Sequence, residues 1–449
     1  MKKSQNKNIV EDTKRLLDLW LPMKLKYSKG IGLSVGIIYG GELIYSKGFG
    51  FADQEKKIPA TDKTCYRIAS ISKLFTSIAI FQLVEKGKLN IESKVTDILP
   101  WFKASTQKTD AKNITIRELL SHTSGIWRDG DTLHWTDDTW PDLTEFTKSF
   151  SDKSLILENN VKFKYSNYGY AILGQIIEKI TGKSYKDYIN ENIFKKVGLK
   201  NTTTDYSETY SNINLLASGY GKIFPDQERE KFKHYATKVY APATGFISNV
   251  EDLTRFMGFV AQNKLVSRES LKQIIREYST TVTGEYYGFG SHVYNVRNKK
   301  IVGHSGGFPG FITECSFNEE TGVGVVILSN SNELPAGGIV EGIFNTVFYL
   351  IEKNELSDKK LIKFDGIYRN RWGDSALVTL GKKIAYFSPQ DNIPLKSDSW
   401  IIQQKENEFQ FKCPGVYSVY DEPVKFETDK KTKTSAVYVG PYKHKKLNV

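Results

Sequence analysis

The order in which apolar patterns follow one another limits what these 449 residues can build more than any other feature. Leu33–Ile38 and Leu43–Ser46 are two apolar runs flanking Gly40-Gly41, which signals a hairpin. The spacing then predicts a helix from about Ser70 to Lys86, stopped by Gly87. Thr115 at an N-cap, Glu118 three residues on and an Ile114–Leu119 staple predict another start. A third helix should follow Tyr165, with Ile172, Leu173, Ile176, Ile177 and Ile180 on one face and Gly182 at its end. Ser184 with Asp187, and a capping box of Ser248 with Glu251, mark two more starts. Between Tyr286 and Asn330 the period switches to that of short strands, and Gly322–Leu328 reads as a buried one. A helix from about Ala336 to Lys353 closes the region. Strand, helical middle, strands and helix predict a sheet with helices on its faces and a helical insertion.

From Leu361 the texture differs. Ala376–Leu380, Ile384–Phe387, Trp400–Gln403, Glu408–Phe411 and Ala436–Val439 are short apolar segments parted by Gly, Pro, Asn and Asp. They predict a small antiparallel β-domain or barrel. The charged stretch Lys353–Lys360 is the expected boundary, giving domains 1–355 and 356–449.

Hydrophobic residues at 39% and charged ones at 25% describe a globular chain. No apolar run approaches the roughly 20 residues that cross a bilayer, so no membrane partner is expected. The N-terminus reads as an amphipathic helix with Leu16, Leu17 and Trp20 on one side, and the expected location is cytoplasmic. Cys65, Cys315 and Cys413 lie far apart, with no metal-ligand spacing, so neither metal nor cofactor is expected. A net charge of +12 raises nucleic-acid binding as a reading. The lysines are spread along the chain, however, and the dense runs DKKTK near Lys431 and KHKK near Lys445 lie at the far end. No nucleic-acid partner is expected.

Ser-x-x-Lys occurs at Ser4–Lys7, Ser70–Lys73, Ser105–Lys108 and Ser357–Lys360. Only Ser70–Lys73 stands at the head of an apolar helix, in RIASISKLFT. Residues three apart share a helix face, so the Lys73 amine can reach the Ser70 hydroxyl. A helix N-terminus also offers unpaired N–H groups where an oxyanion develops. Tyr-x-Asn occurs at Tyr165, Tyr188, Tyr210 and Tyr368. Of these, Tyr165-Ser166-Asn167 has the setting of a loop before an amphipathic helix. His304-Ser305-Gly306 is followed by Gly307, on an expected strand whose small residues would admit a substrate backbone at its edge.

Taken together and in this order, RIASISKLFT, KYSNYGY and VGHSGG resemble the three catalytic boxes of the serine β-lactamase, penicillin-binding-protein, DD-peptidase and esterase superfamily. GFGFAD, ITIRELLSHTSGI and ATGFISNVEDL agree, over roughly residues 25 to 350. The resemblance implies an α+β fold: an antiparallel sheet flanked by helices with a helical subdomain, followed by a lipocalin-like or barrel-like all-β domain. It implies Ser70 as acylated nucleophile, Lys73 as the group taking its proton, and Tyr165 sharing base duty and protonating the leaving group. Asn167 matches the residue that orients substrate and Lys73, and the N–H groups of Ser70 and Gly307, with Gly306 beside them, match the oxyanion and substrate strand. In similar proteins a C-terminal β-domain covers the site or builds oligomers, so a homo-oligomer through that domain is an expectation here.

His304 departs from the Lys-Thr-Gly of penicillin-processing relatives. An imidazole, mostly neutral at pH 7, replaces a permanent ammonium. The expected substrate is therefore a small peptide or ester rather than a β-lactam. His122, in LSHTSG, matches a structural turn. Trp127, Trp135 and Trp140 fall where relatives have a variable loop, and either shape the pocket or pack beneath it. The competing reading of the chain is a catalytically weak scaffold or binding protein.

Overall fold

The computed structural model describes residues 2–132, 134–209, 212–281, 283–396, 398–413, 419–428 and 434–448. The DKKTK run at 429–433, and Tyr210 and Ser211, lie outside these. The chain divides into two compact units, residues 31–332 and residues 1–30 with 333–449.

The first unit is built on a nine-stranded sheet. Its strands are β1 (Gly32–Tyr39), β2 (Glu42–Asp53), β3 (Ile58–Pro59), β4 (Ser279–Thr280), β5 (Tyr286–Tyr287), β6 (His292–Val296), β7 (Lys299–Phe308), β8 (Phe311–Asn318) and β9 (Val323–Ser329). Their order is β3-β2-β1-β9-β8-β7-β6-β5-β4, with every pairing antiparallel. The predicted hairpin is β1–β2. Its first strand lies beside the last, with Val35 opposite Ile327, so the sheet joins both ends of the unit around the helical insertion. β9 is buried along its whole length, which explains its unbroken apolar run.

The insertion supplies helices Ser72–Glu85, Asn167–Thr181 and Val250–Ala261. Phe75 of the first stacks on Phe256 of the third at 3.9 Å. Asn167–Thr181 ends at Gly182 in the left-handed region, where glycine carries no Cβ penalty. The Thr115 capping box forms in full. The one expected at Ser248 and Glu251 does not. Ser248 belongs to a two-residue strand paired with Tyr66, and the helix starts one residue later, capped by Asn249 accepting from the Asp252 N–H. The Ser70 helix also differs: residues Ala69–Ile71 form a 3₁₀ turn, and the α-helix proper begins at Ser72.

In the second unit, helix Lys2–Tyr27 buries Leu16, Leu17 and Trp20 as the amphipathic pattern required. Arg15, paired with Asp12 of the same helix at 2.6 Å, ties it down through the Thr379 carbonyl at 2.7 Å and Asp365. Helix Ala336–Lys353 belongs here as well. Among the described residues, eight strands from Gly366–Arg369 to Tyr442–Lys446 follow one another antiparallel around a closed barrel, the last pairing with the first at Tyr368 and Lys446. Its interior is filled by Leu377, Ile384, Ile401, Phe409, Val424 and Val437. No helix among the described residues is long and apolar enough to cross a membrane.

Candidate active site

Tyr66–Arg67 pairs with Ile247–Ser248, and the Ile68 N–H is held by the Phe246 carbonyl at 2.9 Å. The chain then turns at Ala69, whose φ of +48° lies in the left-handed region that non-glycine residues enter at a cost of about 1–2 kcal/mol. This turn presents Ser70, half-buried, one step before the buried helix. Arg67, fully buried, anchors it. Its guanidinium bonds the Tyr235 carbonyl, pairs with Asp205 at 3.6 Å and lies over the Phe308 ring at 4.7 Å.

Ser70 Oγ sits between two groups. The Tyr165 hydroxyl donates to it at 2.7 Å, and Lys73 Nζ lies 3.2 Å away. Lys73 is completely buried, and its amine also donates to Asn167 Oδ1 at 2.7 Å and to the Ala243 carbonyl at 2.8 Å. Burial pushes the Lys73 pKa well below its ordinary 10.5; Asp129 opposes this and Arg128 adds to it. Burial raises the Tyr165 phenol, so it stays protonated across the neutral range. A neutral amine has two N–H bonds. With the Asn167 and Ala243 oxygens accepting both, its lone pair is left for the Ser70 hydroxyl.

The Asn167 amide is itself oriented. Its Nδ2 donates to Asp129 Oδ1 at 2.6 Å, and a carboxylate only accepts, so Oδ1 must face Lys73. Asp129 and the Ala243 carbonyl were not legible as site groups. Asp129 was visible only as one acid in a Trp- and Asp-rich loop, and a backbone carbonyl leaves no trace in composition.

His304 is near but set apart. Its ring centroid is 6.2 Å from that of Tyr165, and the side chain is 1% exposed. Nδ1 lies 2.6 Å from the Ser305 carbonyl and Nε2 lies 2.9 Å from the Tyr287 hydroxyl. The carbonyl only accepts, so Nδ1 carries the proton and Nε2 accepts from Tyr287. Among the described residues no hydrogen bond joins His304 to Ser70, Lys73 or Tyr165. Burial, then His292 and Lys73, lower its pKa well below 6.5, so the ring is neutral. The hydroxyl, amine and phenol thus meet at one point, whereas the imidazole stands apart and is held by Tyr287 and Ser305. Tyr287 and His292, whose ring is 4.7 Å from that of His304, were not singled out by sequence reasoning because both sit on neighbouring strands.

Gly306 and Gly307 do different things. A Cβ at Gly306 would lie 2.3 Å from the Ile68 carbonyl and 2.2 Å from Thr313 Oγ1, so glycine is what lets the Ser70 turn rest on β7. At Gly307 nothing lies within 4 Å. β6 pairs with β7 only up to Gly303, leaving the following residues, including Gly307, open along one edge among the described residues. Gly307, Phe308, Pro309, Asn332, Arg128 and Trp135 line a cavity of about 410 Å³. Trp135 therefore shapes the pocket, whereas Trp140 is buried and stacks on Phe308. Trp127 is half-buried beside Tyr168. His122, fully buried, accepts the Ser166 N–H on Nδ1 at 3.1 Å and rests 4.3 Å from the Tyr165 ring.

An antiparallel sheet with a helical insertion, and a serine on the turn between them, define the serine β-lactamase and penicillin-binding-protein superfamily. The chain belongs to the beta-lactamase family, whose model matches residues 25–344. Protein flp of Staphylococcus aureus (strain MW2) is 28% identical over 338 residues, covering 74% of this chain and 66% of that protein. Penicillin-binding protein 4* of Bacillus subtilis (strain 168) is 32% identical over 315 residues, 66% of this chain and 67% of that protein. The chain thus spans about two thirds of the length of these relatives. Among solved structures, the octameric penicillin-binding protein homologue from Pyrococcus abyssi is similar with a TM-score of 0.64 and 24% identity, over 94% of this chain and 97% of that one. D-amino acid amidase from Ochrobactrum anthropi SV3 has a TM-score of 0.64 and 22% identity, over 78% of this chain and 100% of that one. At these identities the structural likeness speaks for the fold.

Proposed function

We propose that the chain is a serine hydrolase that cleaves amide (peptide) or ester bonds through an acyl-enzyme, with Ser70 as nucleophile. The observation that carries this reading is the Ser70 hydroxyl held between the buried Lys73 amine at 3.2 Å and the Tyr165 phenol at 2.7 Å. Lys73 takes the Ser70 proton as Oγ attacks the carbonyl carbon. The Ser70 and Gly307 N–H groups bind the oxyanion, and Gly306 fixes the strand that carries one of them. Tyr165 gives its proton to the leaving nitrogen or oxygen and is recharged from Lys73. Water then releases the acyl group by the reverse proton path. Asn167 orients Lys73, and His304 positions the strand as a neutral ring.

The catalytic machinery is assigned to residues 1–355 and the barrel to an appended domain, 356–449. A neutral His304 offers no ammonium for a β-lactam carboxylate, which favours small peptides and esters; the D-amino acid amidase neighbour adds D-aminoacyl amides to the candidates. The octameric neighbour supports a homo-oligomer, for which we propose the barrel as the contact. Three buried cysteines with no disulfide among the described residues fit a cytoplasmic location.

The test is a panel of p-nitrophenyl esters, D- and L-aminoacyl nitroanilides and a chromogenic cephalosporin, run on wild type and Ser70→Ala. Ester or anilide turnover that vanishes in Ser70→Ala is expected. No turnover of any substrate would favour the scaffold reading, and rapid cephalosporin turnover would overturn the substrate assignment.

A further inference from the structure

The barrel has a cavity of its own, lined by none of the residues of the candidate active site. About 280 Å³ in volume, it lies at the barrel end formed by the turns after Arg369 and Val439. Tyr386 and Phe411 form its wall, their rings 5.1 Å apart and nearly perpendicular. Trp372 and Tyr442 stand at its rim, 85% and 41% exposed. Trp372 thus holds a large indole open to water on a short turn at the mouth of the cavity. No charged side chain lines the cavity among the described residues.

The polar groups of the cavity are not all satisfied. Asn370 Oδ1 accepts the Trp372 and Gly373 N–H groups, at 2.8 and 3.0 Å. That fixes the amide, so Asn370 Nδ2 must donate to His444 Nε2, 3.3 Å away. The proton of the neutral His444 ring is then on Nδ1. That atom is buried and has no hydrogen-bond partner among the described residues. The residue is 3% exposed and lines the same cavity. Buried donors are nearly always matched by an acceptor. An aromatic wall, an exposed indole at the mouth and a donor without an acceptor belong together if something occupies the space. Closed eight-stranded barrels are wide enough to hold one small ligand at their mouth.

We propose that this end of the barrel is a binding site for a small, neutral, planar aromatic molecule carrying a hydrogen-bond acceptor. The ring stacks against Trp372 and Tyr386, and the acceptor takes the His444 Nδ1 proton. The site is independent of Ser70, so it can sense or retain an aromatic compound whether or not acyl transfer occurs.

The experiment uses the full chain and the fluorescent neutral arylamine N-phenyl-1-naphthylamine, with displacement by acetophenone, ethylbenzene and benzoate. Saturable binding of one probe per chain is expected. Acetophenone should displace it about tenfold better than benzoate. Trp372→Ala and Tyr442→Ala, at exposed positions that folding does not need, should each weaken binding about fivefold. His444→Phe should lower the advantage of acetophenone over ethylbenzene, and Ser70→Ala should bind as wild type does. Non-saturable binding, binding unchanged in both rim variants, or preferential displacement by benzoate would overturn the proposal. So would absent binding combined with a smaller oligomer in Trp372→Ala, which would give the rim to a second copy of the chain.

Discussion

At the scale of the residue, a buried amine is useful only if its hydrogens are committed elsewhere. Lys73 is lodged among the Tyr165 and Tyr170 rings, at 4.8 and 5.5 Å, where the charged form loses its water. Asn167 and the Ala243 carbonyl then settle which way the lone pair points. Asp129 fixes the Asn167 amide, so its contribution is felt through orientation rather than contact with Ser70. Asp129→Ala should leave the fold intact and lower kcat/KM on the order of 10²-fold, the cost of a misdirected amide. Steady-state kinetics beside a circular dichroism melt check this. The Ser70–Lys73 spacing was legible because three residues make a helical neighbour. The partners of Lys73 at 167 and 243 were separable from the background only through the family boxes, or not at all, since carbonyl groups and long-range pairs carry no local signature.

At the scale of the element, the site depends on how closely the Ala69–Ile71 turn approaches β7. Gly306→Ala would drive a methyl into the Ile68 carbonyl and should cost about 1–3 kcal/mol with a loss of turnover. Gly307→Ala, facing open space, should keep wild-type stability. Urea unfolding of the two variants separates these outcomes. Arg67 holds the same turn from the other side. Arg67→Met strands Asp205 in a largely buried setting and should cost about 3–5 kcal/mol in the same assay. Sequence patterns predicted several elements whose cause was local, although they passed over the Asp142–Glu145 capping box of helix Leu143–Ser149. The Thr115 box, the Gly182 stop and the helix Ala336–Lys353 all rest on neighbours within a few residues. They failed where a distant strand intervened. Pairing of Tyr66 with Ser248 moved one cap by a residue, and a left-handed Ala69 replaced the first turn of the Ser70 helix. The repeating short segments after Leu361 announced a β-domain, yet closure of the barrel depends on Tyr368 meeting Lys446, which no single segment encodes.

At the scale of the whole molecule, all six histidines are held neutral by burial. His122, His134, His292, His304, His234 and His444 all have pKa values below 6.5, with His234 and His292 lowered to about 4. Between 6.5 and these folded values the unfolded chain binds more protons than the folded one. The histidine contribution to stability is therefore full above pH 6.5 and is lost as the pH falls toward about 4, at up to about 1.4 kcal/mol per pH unit for each group. Urea midpoints should fall steadily from pH 7 to pH 5; an unchanged midpoint would mean that these rings are hydrated or charged in the fold. The central claim, that a neutral Lys73 primes Ser70, is tested most directly by the rate of fluorophosphonate labelling, followed by intact mass against pH. The rate should rise with pH through a midpoint well below 10.5, where Lys73 loses its proton, and that limb should disappear in Lys73→Ala, with all label on Ser70. An identical limb in Lys73→Ala, or label that persists in Ser70→Ala, would contradict it.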